Sequence, residues 1–317
     1  INKGKFDIAV KASGDFMLYF DSPNTNEVKN LIKAREIWDQ FIEGNYKTAE
    51  PGIIFWSTMS DYSPSNYVGK PIICTNPCAE VPLEDGGACN LGSINLSRFV
   101  KDGFTPEASI DWDQLAESSE TLVRFLDNVV TWNEDLNALP KQRQAASETR
   151  RLGLGVMGIA DMLNQLGVAY DSEQGTMMIE KVMEYITNAS YQASSFIAKE
   201  KGASSIFDEE AYMECPFVKE ALSEQTHNMI RKNGLRNIAI MSIAPTGSIS
   251  NIVLGYKSEE KNYIGVSGGV EPIFSTFYTR RSESFGNKMF KVFHSTIQAY
   301  IDKMDIQEDV DKAEDVD

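Results

Sequence analysis

Only two histidines, His227 and His294, occur in the 317 residues, and they lie far from each other and from the cysteines. That scarcity argues against histidine-rich metal sites and against Ser-His-Asp hydrolysis. Cysteine is also sparse: Cys74, Cys78, Cys89 and Cys215 do not make the framework of a secreted disulfide scaffold. No run of about 18 apolar residues is present, so no membrane span is expected. The first residues, Ile1 to Asp7, lack both the apolar core of a signal peptide and an initiator Met. Such a start fits a processed chain or an excerpt of a longer one. Basic residues are too few for a nucleic-acid binder, since 30 Lys and Arg face 46 Asp and Glu, for a formal charge of -16. This acidity fits a soluble protein of the cytoplasm.

What is present is a globular composition, 42% apolar, with enough length for one large domain or two ordinary ones. Val28, Leu31, Ile32, Ile37, Trp38 and Phe41 recur at helical spacing, which predicts a helix over about 27–42. Ile53–Trp56 and Pro71–Cys74 read as short strands, with a polar loop over 57–70. Long helical patterns follow over 113–138, 141–168, 173–202 and 208–234. Asn237–Ile243 switches to a β pattern that ends on Ala244-Pro245-Thr246-Gly247-Ser248. Residues 302–317 are mostly charged and read as an exposed end. Strands alternating with long helices predict an α/β architecture of parallel strands joined by helical crossovers.

The segment from Cys74 to Cys89 carries the chemistry. A Cys-x3-Cys pair could be half a zinc site, but no second pair or nearby His completes it. A free cysteine is also commonly a small buried hydrophobe. Against this, Asn76 and Glu80 lie two residues either side of Cys78. In an extended segment all three would share one face, and Pro77 biases Asn76 toward that conformation. An amide, a thiol and a carboxylate together suit hydrogen transfer, hydrogen bonding and acid/base work. Spacing alone leaves the catalytic reading and the plain buried-thiol reading both open.

Two further runs need weighing. Gly153-Leu154-Gly155-Val156-Met157-Gly158 matches G-x-G-x-x-G, but the polar helical stretch before it is not the strand that a dinucleotide fold requires. Close packing by small residues is the reading preferred there. Pro245, Thr246, Gly247, Ser248 and Ile249 follow a β run and could open a helix, where backbone N–H groups suit an anion. A plain turn is the alternative.

Thr75-Asn76-Pro77-Cys78-Ala79-Glu80-Val81-Pro82-Leu83, followed by Cys89-Asn90-Leu91-Gly92-Ser93-Ile94-Asn95-Leu96, resembles the active-site loop of the ribonucleotide reductase catalytic chain. Its Asn-Pro-Cys form is most similar to the adenosylcobalamin-dependent (class II) branch. Residues 151–161, 244–250, 265–272 and 278–281 resemble the same family, and the likeness covers roughly 5–297. The resemblance implies a ten-stranded α/β barrel, of which 1–300 would be a portion and 301–317 an acidic tail, with the motif on a central finger loop. It implies a thiyl radical on Cys78 that removes the 3′ hydrogen of a ribonucleotide, Glu80 as base for the 3′ hydroxyl, and Asn76 as the amide that binds the sugar. Cys89 would be one member of the reducing thiol pair, and Pro245–Ile249 the substrate-phosphate loop. Adenosylcobalamin and an external dithiol such as thioredoxin are the implied cofactor and reductant, a homo-oligomer the implied assembly, and no metal site is expected. Cys74 and Cys215 read as inert thiols. No partner for Cys89 is found in the chain, nor are the family's effector loops, its other barrel strands or its cysteine-rich tail. The expected identity is therefore a central-to-late part of a catalytic subunit, inactive alone and completed by a complementary N-terminal segment. The rivals are a class I chain fed by a metallo-subunit, a catalytically silent docking fragment, and a nicotinamide dehydrogenase resting on Gly153–Gly158.

Overall fold

The computed structural model describes residues 7–10, 16–19, 35–49, 52–269, 271–273, 275–282 and 288–307. Two compact units divide the chain, one reaching to residue 85 and including 210–220, the other comprising 86–209 and 221 onward.

In the first unit, β1 (Asp7–Val10) pairs antiparallel with β2 (Phe16–Tyr19), and β2 runs parallel to β3 (Ile53–Ile54). The helix expected over 27–42 is observed as α1, Arg35–Thr48, eight residues of the expectation lying outside the described residues. β3 is shorter than the predicted strand, because Trp56 already starts α2 (Trp56–Asp61). The predicted loop over 57–70 instead holds α2 and α3 (Pro64–Tyr67), which Pro64 opens from its first turn. β4 (Ile72–Thr75) and β5 (Pro82–Glu84) form an antiparallel hairpin with Thr75 opposite Pro82.

The second unit is built on a parallel pair, β6 (Asn90–Asn95) beside β9 (Leu152–Met157), in register from Asn90 opposite Leu152 to Asn95 opposite Met157. The small antiparallel pair β7 (Val100–Lys101) and β8 (Ser109–Ile110) leads into α4 (Trp112–Asn133). Asp111 caps α4 by accepting the Gln114 N–H at 3.2 Å, a contact typically worth about 1 kcal/mol. α4 buries Leu115, Val123, Leu126 and Val130. It packs against α7 (Glu173–Lys201), which buries Val182, Ile186 and Ile197. Each such side chain contributes roughly 1.5–3 kcal/mol on burial.

The long helix predicted over 141–168 is overturned. α5 (Pro140–Thr149) stops at Arg150, whose φ is 45°; β9 follows, and then α6 (Ile159–Gln165). All six residues of β9 are buried, so the strand shows none of the polar alternation by which a half-exposed strand is read. Its glycines accept close neighbours: a Cβ on Gly155 would stand 2.3 Å from the Ser242 carbonyl oxygen. Because those glycines lie inside the strand and follow a helix, the dinucleotide reading of Gly153–Gly158 is excluded.

Residues 238–243 run along the other edge of β9. Leu152 N–H donates to Ala239 O, Leu154 N–H to Ile240 O, and Ser242 N–H to Leu154 O, with Leu154 and Met241 bridged in parallel. The predicted β run is thus an irregular third strand. The helix expected over 208–234 is three pieces, Glu209–Met213, Pro216–Ala221 and α8 (Glu224–Asn233). Pro216 opens the second, and the Ser223 hydroxyl caps the last. Among the described residues these parallel segments, joined by helical crossovers, do not close into a barrel.

The turn from α5 into β9 is held by a buried ion network. Arg150 donates from Nε to Asp127 Oδ1 at 2.8 Å and from Nη1 to Glu134 Oε1 at 2.7 Å. Asn237 Nδ2 adds bonds to Asp127 Oδ1 and to the Arg150 carbonyl. After residues 244–253 come the hairpins β10–β11 (Leu254–Lys257, Asn262–Ile264) and β12–β13 (Phe277–Ser282, Lys288–Phe293), then α9 (Ser295–Met304). Ile301 is buried within α9, and 308–317 lie outside the described residues.

Candidate functional site

Asn76, Cys78 and Glu80 occupy the tip of the β4–β5 hairpin. The extended geometry expected for them is not observed, and Ala79 takes a left-handed φ of 66°. The turn closes through Asn76 N–H to Val81 O at 3.1 Å and Ala79 N–H to Asn76 O at 3.0 Å. Two backbone bonds in six residues leave no room for a pleated run. The three side chains therefore gather at one turn rather than on one strand face.

Asn76 has a structural duty of its own. Its Oδ1 accepts the Val81 N–H at 3.0 Å, which fixes the orientation of the amide. The Nδ2 group is thereby left for a partner beyond the loop. Pro77 and Cys78 are exposed, Glu80 is half-buried, and Val81 seats the loop by burying its side chain.

Cys74 sits on β4 and is exposed, yet packing around its sulfur, with Glu84 and Asp85 nearby, pushes the thiol up from its ordinary value. Cys215 is fully buried, and burial pushes its thiol up too. Both remain protonated at neutral pH, as befits inert thiols.

Cys89 belongs to the second unit, one residue before β6. It lines a cavity of about 350 Å³ with Asn90, Val130, Trp132, Leu136 and Arg151. Trp132 and Leu136 are exposed at its mouth. Asn90 Nδ2 donates to Leu126 O at 2.9 Å, tying the start of β6 to α4. Gly153 on β9, opposite Leu91, has no side chain, and this leaves the Cys89 sulfur its space.

Pro245–Ile249 form an exposed turn, except for Thr246, which is buried and has a left-handed φ of 57°. Ser250 N–H donates to Thr246 O at 2.9 Å, and Asn251 N–H to Ser248 O at 3.3 Å. The helix expected here is a single 3₁₀ turn, Ile249–Asn251. Among the described residues, the N–H groups of Gly247, Ser248 and Ile249 take no protein acceptor. Among the described residues the buried Thr246 Oγ1 also has no hydrogen-bond partner. A cluster of backbone donors and a hydroxyl is a fitting receptor for an anion. Gly265–Gly269 lie directly against this turn, whereas the side chains of 278–281 lie outside the described residues.

Sequence reasoning missed β9 as a strand and the buried Asp161 that follows it. The Gly-x-Gly alternation within an apolar run was the available sign of the strand. No local sign marks Asp161, whose partners are far away in sequence. Among the described residues no group of three or more His, Cys, Asp or Glu could hold a metal ion, and no helix is long and apolar enough to cross a membrane.

The family model for the ribonucleotide reductase barrel domain matches residues 16–316. The chain is 38% identical over 285 residues to the vitamin B12-dependent ribonucleoside-diphosphate reductase of Thermoplasma acidophilum, covering 87% of this chain and 32% of that protein. It is 34% identical over 259 residues to the Mycobacterium tuberculosis protein of the same description, covering 82% and 32%. Against the ribonucleoside-diphosphate reductase subunit alpha of Chlamydia pneumoniae the identity is 30% over 282 residues, covering 80% and 25%. The chain thus spans about a third or less of the length of these relatives.

Proposed function

The chain belongs to the ribonucleotide reductase barrel-domain family, and on that premise we propose that it carries the radical site of a reductase converting ribonucleoside diphosphates to 2′-deoxyribonucleotides. The observation that carries this reading is the hairpin tip, where an exposed Cys78 thiol stands between an orientation-locked Asn76 and Glu80. Higher identity to vitamin B12-dependent relatives than to a subunit alpha favours the adenosylcobalamin branch over class I. We further read β6, β9 and 238–243 as part of a ten-stranded barrel spanning 1–300, with 301–317 as its acidic tail and the hairpin as its central finger loop. A complementary N-terminal segment, a homo-oligomer, a thioredoxin-type reductant and a cytoplasmic setting complete the proposal.

Adenosylcobalamin, when bound, supplies the radical that takes the hydrogen atom from the Cys78 thiol. The exposed sulfur beside exposed Pro77 is compatible with so bulky a group, and Cys78 is the residue that would face it. The chain's own residues perform the rest. The Cys78 thiyl takes the ribose 3′ hydrogen, because S–H and ribose C–H bonds are close enough in strength to exchange. Glu80 accepts the 3′-hydroxyl proton, and the 2′ hydroxyl departs as water. Two thiols, Cys89 and a partner, deliver two electrons and two protons and end as a disulfide. Cys78 then returns its hydrogen to C3′ and is again a thiyl. Asn76 Nδ2 holds a sugar hydroxyl, and the Thr246–Ile249 turn holds the phosphates.

The test uses a ribonucleoside diphosphate deuterated at C3′ with a reductase containing this chain. Slower deoxyribonucleotide formation than from the protiated substrate supports the reading. An identical rate under conditions where chemistry limits turnover, or activity that strictly requires a metallo-subunit, rejects it.

A further inference from the structure

Asp161 is fully buried in the first turn of α6, and among the described residues its polar partners are Ser267, Thr296 and His294. Its Oδ2 accepts the Ser267 N–H at 2.6 Å. Its Oδ1 accepts the Thr296 hydroxyl, and the His294 Nδ1 stands 3.7 Å from the same oxygen, too far for a hydrogen bond. One carboxylate thus joins α6, the strap Gly265–Gly269 and the start of α9.

The strap is in turn the support of the anion-receptive turn. Val266 N–H donates to Ser250 O at 2.8 Å, and Gly269 N–H donates to Pro245 O at 3.2 Å, one bond at each end of 245–250. A Cβ on Gly269 would lie 2.1 Å from Ala244 O, so the two backbones are in direct contact. Gly158 N–H binds the strap's far side through Ser267 O at 3.0 Å. Within the strap, Ser267 is the residue gripped from both directions, and Asp161 supplies the grip on its N–H.

We infer that Asp161 is a positioning residue for phosphate binding: through Ser267 it fixes the strap whose two bonds set the shape of the 245–250 turn. This rests on the proposed phosphate role of that turn. Asparagine at 161 can still accept the Ser267 N–H through its amide oxygen and donate to the Thr296 hydroxyl. Alanine can do neither.

Calorimetric titration of CDP into a reductase containing this chain separates the outcomes. Ser248→Pro removes one N–H from the turn, and Asp161→Ala removes the anchor. Both are expected to weaken binding about tenfold or more, the scale set by losing a buried hydrogen bond. Asp161→Asn is expected to bind within about threefold of wild type. Amide exchange at Gly269 and Ser250 should quicken in Asp161→Ala, with α7 unchanged. Absence of CDP binding by the wild type, or no effect of Ser248→Pro, defeats the phosphate reading and this inference with it. Weakening by Ser248→Pro with wild-type binding by Asp161→Ala overturns the inference alone. If Asp161→Ala does not fold, Thr296→Val loosens the same carboxylate, and undiminished CDP binding by that variant overturns it.

Discussion

A Cβ placed on Gly153 would stand 2.7 Å from the Cys89 sulfur and 2.4 Å from a Leu91 methyl. The Cys89 thiol, the reductant of the proposed function, therefore owes its place beside β6 to a missing side chain on β9. Gly153→Ala should force these groups apart at a cost of about 1–3 kcal/mol, the range for overpacking a filled core. Thermal unfolding checks the stability. The rate of Cys89 alkylation, with Cys78 replaced by Ser, should change in the same variant.

Asn76 offers a cleaner division of labour. Asn76→Asp keeps an acceptor for the Val81 N–H but loses the Nδ2 donor, whereas Asn76→Ala loses both. Asn76→Asp is expected to fold as wild type while reductase turnover falls roughly tenfold or more. Asn76→Ala should add loosening of the hairpin tip, read as faster exchange of the Val81 amide. Wild-type turnover by Asn76→Asp would remove Asn76 from the chemistry.

Removing Arg150 should be the costliest change outside the site. Its guanidinium is almost fully buried and answers Asp127, Glu134, Thr131 and the Asp127 carbonyl. Arg150→Met leaves the buried Asp127 carboxylate with only Arg236, 3.6 Å away, as counter-ion among the described residues, and should approach the roughly 3–5 kcal/mol typical of breaking a buried pair. Chemical denaturation measures it. Replacing Asp127 by Leu in the same chain should recover part of the loss.

Tyr263 gives a signature at high pH. Burial, reinforced by its hydrogen bond to Asp302 at 2.7 Å, pushes its hydroxyl up to about 12. The folded state thus keeps a proton that the unfolded chain loses near the ordinary tyrosine value of 10.0. The stabilisation is complete below pH 10 and is lost as pH rises toward 12. Denaturation midpoints across that window should fall for wild type and fall less steeply for Tyr263→Phe. Parallel slopes would contradict the assignment.

Much of the fold was legible where one face of an element meets water. α7 is legible to within one residue of its ends and α4 to one residue at its start and five at its end, because amphipathic helices of that length repeat their pattern many times. β9 was not legible, since a strand buried on both faces carries no alternation and its glycines mimic a loop. At the site, the identity of Asn76, Cys78 and Glu80 could be read, but not the left-handed Ala79 that turns them from a strand face into a hairpin tip. Asp161 escaped notice because its partners lie 106 and 135 residues away, and no local pattern encodes such pairings.

The most direct measurement is deoxyribonucleotide formation by a vitamin B12-supplied reductase carrying Cys78→Ser in this chain, with CDP affinity measured alongside. Serine keeps the size of the side chain and removes the S–H bond that exchanges with the ribose hydrogen. Unchanged CDP affinity with no product is the expected result. Substantial product from the Cys78→Ser enzyme would contradict the assignment of the radical to Cys78.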